Sequence, residues 1–94
     1  MKIRVITPSC VKGEMERISV HPAGIHLMEL KTSIYPLKIS DVNVKQANVI
    51  KQEALSVGAD AAVPYSVLNL ENKNVDVIVM ATLKQYRKLA LKFS

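Results

Sequence analysis

Lys51-Gln52-Glu53-Ala54-Leu55-Ser56-Val57-Gly58-Ala59-Asp60-Ala61-Ala62-Val63-Pro64 is the stretch that decides how this chain folds. An apolar stripe of Val44, Ala47, Ile50, Ala54 and Val57 runs into it at helical spacing, while Lys45, Asn48 and Gln52 fall outside the stripe. Asn43 and Gln46 stand at the spacing of a capping box, which predicts the start of that helix. Gly58 suits the left-handed position just past a helix end, and Ala61-Ala62-Val63 then reads as a short strand stopped by Pro64. Downstream, Val75-Asp76-Val77-Ile78-Val79-Met80-Ala81 is rich in β-branched residues, the pattern of a central strand covered on both faces. Thr82 and Gln85 repeat the capping-box spacing, and Leu83, Tyr86, Leu89, Ala90 and Phe93 turn a last helix toward the core.

Upstream of that stretch, Ile3, Val5 and Ile6 predict a first strand over Lys2–Thr7. Thr7-Pro8-Ser9 supplies helix-start chemistry, because proline is tolerated at a first helical position and a Thr or Ser oxygen caps free amides. Val11, Met15 and Ile18 then share one side of a short helix that ends at His21-Pro22-Ala23-Gly24. From Ile25 to Ile39 the pattern reads as extended, with Ile25–Leu30 pairing through Lys31-Thr32-Ser33 with the strand that holds Pro36. Pro36 cannot donate a ladder hydrogen bond, which puts its strand at an edge or at a bulge. Tyr65 to Asn74 forms a connection, with a turn marked by Asn69, Glu71, Asn72, Lys73 and Asn74. The expected fold is one α+β domain over residues 1–94, a two-layer sandwich of a mixed sheet of four to five strands against three helices. A split βαβ unit is its preferred arrangement.

Ninety-four residues hold one modest core. Thirteen basic and eight acidic residues give a net charge of +5, which favours weak attraction to polyanions without naming a partner. Cys10 is alone, so no internal disulfide forms, in keeping with a reducing compartment. No apolar stretch approaches the ~20 residues of a membrane helix, and Met1-Lys2-Ile3-Arg4 lacks the apolar block of a signal peptide. A soluble cytoplasmic protein is expected.

Residues with chemical potential do not converge by spacing. His21, His26 and Glu29 are the nearest approach to a metal cluster, but their offsets match no familiar zinc pattern. Cys10 lies near a helix start, but a nucleophilic role needs a base nearby in space, for which either histidine could serve. Glu53, Asp60 and Asp76 would need to meet in space for acid–base work. Thr82, Lys84 and Gln85 at a helix start could receive an anion, although a cap explains Thr82 and Gln85 without one. Lys84, Arg87, Lys88 and Lys92 on the last helix oppose its apolar stripe; they read as a solvated face or as a contact for nucleic acid or an acidic partner. Tyr35, Tyr65, Tyr86 and Phe93 are the aromatic residues, and at least two read as buried, which leaves few bases for stacking. No catalytic residue, cofactor or metal is assigned.

Three stretches together resemble a known family. They are His21-Pro22-Ala23-Gly24-Ile25 with Met28, residues Lys51–Val63, and Val77-Ile78-Val79-Met80-Ala81-Thr82-Leu83-Lys84-Gln85-Tyr86-Arg87. They look like the amino-terminal accessory domain that precedes the catalytic barrel in some dihydropteroate synthases. The sequence departs from that pattern at His21, where an acidic residue is expected, and at Ala81, where a glycine is commoner. A (β/α) barrel takes roughly 200 residues or more, so the chain alone is not expected to be the enzyme. The resemblance implies a non-catalytic accessory or scaffold module in folate or methanopterin metabolism, acting by protein–protein contact. Its partner would be a dihydropteroate synthase barrel or another pterin-pathway protein, with a homodimer as a further expectation. The alternative is a small basic nucleic-acid-binding protein using the last helix.

Overall fold

The computed structural model describes residues 1–65 and 73–93, the side chain of Phe93 excepted. The chain divides into two compact units, Met1–Ser33 and Ile34–Ser94.

The first unit is a pair of helices, α1 (Pro8–Arg17) and α2 (Pro22–Glu29). The strand expected over Lys2–Thr7 is not formed; Ile3 and Val5 are exposed and pair with nothing. Pro8 occupies the first turn of α1 as expected, but the Thr7 hydroxyl meets the Ser9 hydroxyl at 3.0 Å instead of capping an amide. Val11 and Met15 are half-buried and Ile18 is exposed, so the predicted stripe is only partly covered. The expected strand Ile25–Leu30 is helix α2. His21-Pro22 opens this helix where it was expected to close α1: His21 Nδ1 accepts from the Ala23 amide at 3.1 Å, and Pro22 fills the position whose amide would go unpaired. The turn between the helices uses Ser19 at φ 66°, and the Val20 amide donates to the Met15 carbonyl at 3.0 Å. Ile25 is the buried apolar residue of this unit among the described residues.

The second unit runs β1 (Ile34–Val42), α3 (Val44–Ser56), β2 (Asp60–Ala62), β3 (Val75–Thr82) and α4 (Leu83–Phe93). Its sheet has the order β1-β3-β2, and both neighbouring pairs are antiparallel. β1 and β2 therefore run parallel to each other, joined by α3, with β3 inserted between them. This is the split βαβ unit. Among the described residues the sheet has three strands where four to five were expected, and four helices replace three, because the two amino-terminal strands do not form. Its neighbours are all antiparallel, not mixed.

Local chemistry fixes the element ends. Asn43 accepts from the Gln46 amide at 2.7 Å while Gln46 accepts from the Asn43 amide at 2.9 Å, a complete capping box. Thr82 and Gln85 do the same for α4, at 3.2 and 2.8 Å. Gly58 has φ +81° just past α3, where an added Cβ would be conformationally strained. Pro36 lies on an edge strand as predicted; the register shift falls later, between Ile39 and Val42, where Asp41 takes φ 62°. The turn expected within Tyr65–Asn74 lies largely outside the described residues.

The core sits on one face of the sheet. Val75, Val77, Val79 and Ala81 of β3 are buried with Ala61 of β2, Ala47 and Ala54 of α3, and Leu89 of α4. Full burial of two alanines on α3 lets helix and sheet backbones approach closely. β3 is central, as predicted, but covered on one face only: Asp76, Ile78 and Met80 are exposed. Both helices of this unit pack on the Val77 side, so among the described residues of this unit no helix covers the opposite face. The α4 stripe is narrower than expected, with Leu89 buried, Tyr86 half-buried, and Leu83 and Ala90 exposed. The expected inward turn of Phe93 concerns a side chain outside the described set.

Candidate functional site

Two apolar surfaces of the second unit distinguish it. The first is a groove along the helix-facing side of β1. α3 and α4 pack over β3 and β2, leaving the inward residues of β1 without a full cover. Leu37, Ile39, Ile50, Val79, Tyr86 and Leu89 line one hollow of about 340 Å3. Ile39 and Ile50 continue into a second of about 520 Å3, bordered by Val42, Val49, Lys45 and Gln46. The floor is apolar, and its polar border comes from the start of α3. The second surface is the opposite sheet face, where register places Pro36 beside Met80, Lys38 beside Ile78, and Ala62 on the far side of Ile78.

Polar side chains around these surfaces are occupied with structure. Tyr86 reaches across the sheet: its hydroxyl donates to the Tyr35 carbonyl and lies 3.1 Å from the Val79 carbonyl, tying α4 to β1 and β3. Burial pushes the Tyr86 phenol above its ordinary value. Asp76 accepts from the Asp41 amide at 3.0 Å and faces Lys38 at 3.5 Å, so it holds the β1 bulge. Asp60 accepts from Lys51 Nζ at 2.7 Å, and Lys51 also donates to the Ala61 carbonyl at 2.7 Å. The Lys51 bond, helped by the Ala61 amide, holds the Asp60 carboxyl below the usual carboxylate range. Glu53 pairs with Lys92 at 2.9 Å and joins α3 to α4.

The candidate carboxylates therefore do not converge. Asp60 lies opposite Met80, four residues along β3 from Asp76, roughly 13 Å at strand rise. Glu53 belongs to the helix layer. His21 is spent as a cap, and His26 lies with Lys12, Glu16 and Glu29 around a shallow hollow in the first unit. Among the described residues no group of three or more His, Cys, Asp or Glu could hold a metal ion. Cys10 is exposed, with the Thr7 hydroxyl 3.3 Å from its sulfur. At the start of α4, the Thr82 hydroxyl and the Gln85 side-chain oxygen are engaged in the cap, and Gln85 Nε2 donates to the Val57 carbonyl at 3.3 Å. Lys84 is half-buried there, while Arg87 and Lys88 are exposed and Lys92 is held by Glu53. Of the aromatic residues, Tyr35 and Tyr65 are exposed and Tyr86 is half-buried.

Sequence reasoning did not find the groove. Its signal was the row of large apolar residues, Tyr35, Leu37 and Ile39, on one face of a strand already marked as an edge by Pro36. No helix among the described residues is long and apolar enough to cross a membrane.

No family model matches the chain, and no solved structure matches it. Two curated proteins are similar to it. Over 92 residues it is 25% identical to a bifunctional dihydropteroate synthase/dihydropteroate reductase of Helicobacter pylori, a match covering 98% of this chain and 24% of that protein. Over 82 residues it is 34% identical to a "probable bifunctional folylpolyglutamate synthase/dihydropteroate synthase" of Halobacterium salinarum, covering 86% of this chain and 10% of that protein. The chain thus spans about a quarter and about a tenth of the length of these relatives. It is similar to one segment of bifunctional enzymes of folate metabolism.

Proposed function

We propose that this chain is a non-catalytic accessory module related to dihydropteroate synthase, working by contact with a catalytic barrel in folate or methanopterin metabolism. The observation that carries this reading is the asymmetry of coverage: nearly all of this chain aligns with a small share of much longer enzymes. Two features of the second unit agree with it. The candidate acid–base groups are tied into caps, the bulge and ion pairs instead of facing one cavity. The sheet face bearing Pro36, Ile78 and Met80 has no helical layer of this unit, and an exposed apolar face of this kind suits a protein contact. The occupant we assign to it is the barrel, because the similar segment belongs to chains that also contain the rest of such an enzyme. The test is to mix the purified chain with the dihydropteroate synthase of its source organism and measure co-elution and turnover. Co-elution, with no turnover by the chain alone, is expected; turnover by the chain alone, or no association at tens of micromolar, would contradict the proposal.

The nucleic-acid alternative draws on α4, which carries four basic and no acidic residues, with Arg87 and Lys88 exposed. Its mark would be an affinity for RNA that falls steeply with salt.

A further inference from the structure

We infer that β1 is also a self-association strand, pairing antiparallel with β1 of a second copy about a two-fold axis at Leu37 to make a six-stranded sheet. This stands independently of the barrel and of any pathway.

The surface is unusual for an edge. Edge strands are normally short or heavily charged. β1 is nine residues long, and all but Val42 are exposed. Ile34 is 66% exposed, Tyr35 45%, Leu37 50% and Ile39 36%. Tyr35, Leu37 and Ile39 form an apolar row on the groove side with Val49 of α3 beside them, and Ile34 adds apolar surface on the other face, on the order of a few hundred Å2 in all. That is a sizeable part of the ~800 Å2 that each partner contributes to a standard interface.

The residue order selects a copy of itself as the occupant. In a two-fold antiparallel pair, residues equally far from the axis on opposite sides face each other on one side of the sheet. An axis at Lys38 would oppose two ammonium groups and set Tyr35 against Asp41, which like-charge and polar mismatch disfavour. An axis at Ile39 sets Leu37 against Asp41. With the axis at Leu37, Leu37 meets its own copy and Tyr35 meets Ile39 of the second copy, an aromatic–β-branched pair. All these side chains lie on the groove side, so the open inner faces of both β1 strands merge into one apolar strip. β1 carries one cation and one anion, Lys38 and Asp41, so the strands meet without net charge although the chain is +5.

Pro36 fits this geometry. Its missing donor is tolerated where it faces away from β3, toward the open edge. Lys38 then also turns its amide outward, where it can donate to the Pro36 carbonyl of the second copy. Leu37 becomes a non-hydrogen-bonded pair across the axis, with Cα atoms about 4.5 Å apart. That separation is within disulfide reach.

The test uses the full chain. Its mass in solution at roughly 100 micromolar, where a dimer with a Kd of about 1 micromolar is the main species, is expected to be twice the 10.4 kDa of the monomer. In a Cys10→Ser background, Leu37→Cys should form a linked dimer under mild oxidation at least ten-fold faster than Lys88→Cys, at an exposed position on α4 away from β1. A mixture of Tyr35→Cys and Ile39→Cys chains should cross-link through the second predicted pair, which keeps the test open if Leu37→Cys misfolds. A monomer mass throughout, or cross-linking no faster than Lys88→Cys, would overturn the inference.

Discussion

β3 and β1 are neighbours in one sheet with similar apolar content and opposite fates. Val77 and Val79 of β3 are 1% and 3% exposed, whereas Leu37 and Ile39, directly opposite Val79 and Val77 on the same face, remain substantially open. Composition does not make the difference. α3 must cross from β1 to β2 over the inserted β3, and α4 leaves β3 at Thr82, so both helices centre on β3 and the β2 side. Here the first strand keeps an apolar face that its own helices cover only in part. Such a strand is available for another chain.

The largest effect that sharpens this contrast is a charge placed on each strand. Val77→Asp buries an unpaired carboxylate and should abolish folding, while Leu37→Asp should leave the folded fraction at low concentration nearly unchanged; thermal melts of both variants check this. A melt of Leu37→Asp as damaged as that of Val77→Asp would erase the distinction. Next in size is Ala54→Leu, which overfills the fully buried seam between α3 and the sheet and should cost about 1–3 kcal/mol. Adding the same bulk at exposed Ala90 should cost much less, by denaturant titration. Smaller again, Asn43→Ala and Thr82→Ala each remove a cap and should lose about 1 kcal/mol.

The smallest expected effect is with pH. Asp60 titrates below the ordinary carboxylate range in the folded chain, so its bond to Lys51 stabilises at pH values above the unfolded pKa near 3.8. That contribution is lost as pH falls through the folded value. Asp60→Asn should flatten the acid limb of the stability curve slightly, because the carboxylate is exposed. Tyr86 acts at the other extreme: with its phenol raised, stability is full below pH 10 and declines above it.

What the sequence made legible follows from how far apart the interacting groups lie. The two capping boxes and Gly58 are settled within three or four residues, so Asn43, Gln46, Thr82, Gln85 and Gly58 could be read directly. The central place of β3 and the edge place of Pro36 also followed from backbone chemistry. Pro22 was ambiguous because proline both starts and stops helices; the deciding bond, from the Ala23 amide to His21 Nδ1, depends on the histidine rotamer. Ile25–Leu30 is a short apolar run, for which periodicity does not separate helix from strand. The outer face of β3 misled for a different reason: Ile78 and Met80 are apolar, yet both helices of the unit fall on the other side. The structural roles of Asp76 and Tyr86 rest on bonds spanning 35 and 51 residues, which no local spacing encodes.

The central claim is that the sheet face with no helical layer of this unit receives a dihydropteroate synthase barrel. The direct measurement is an amide-resolved titration of the labelled chain with that catalytic domain. The account predicts saturable shifts concentrated at Lys38, Ile78 and Met80. Unchanged spectra at several-fold excess, or shifts confined to Arg87 and Lys88 on α4, would contradict it.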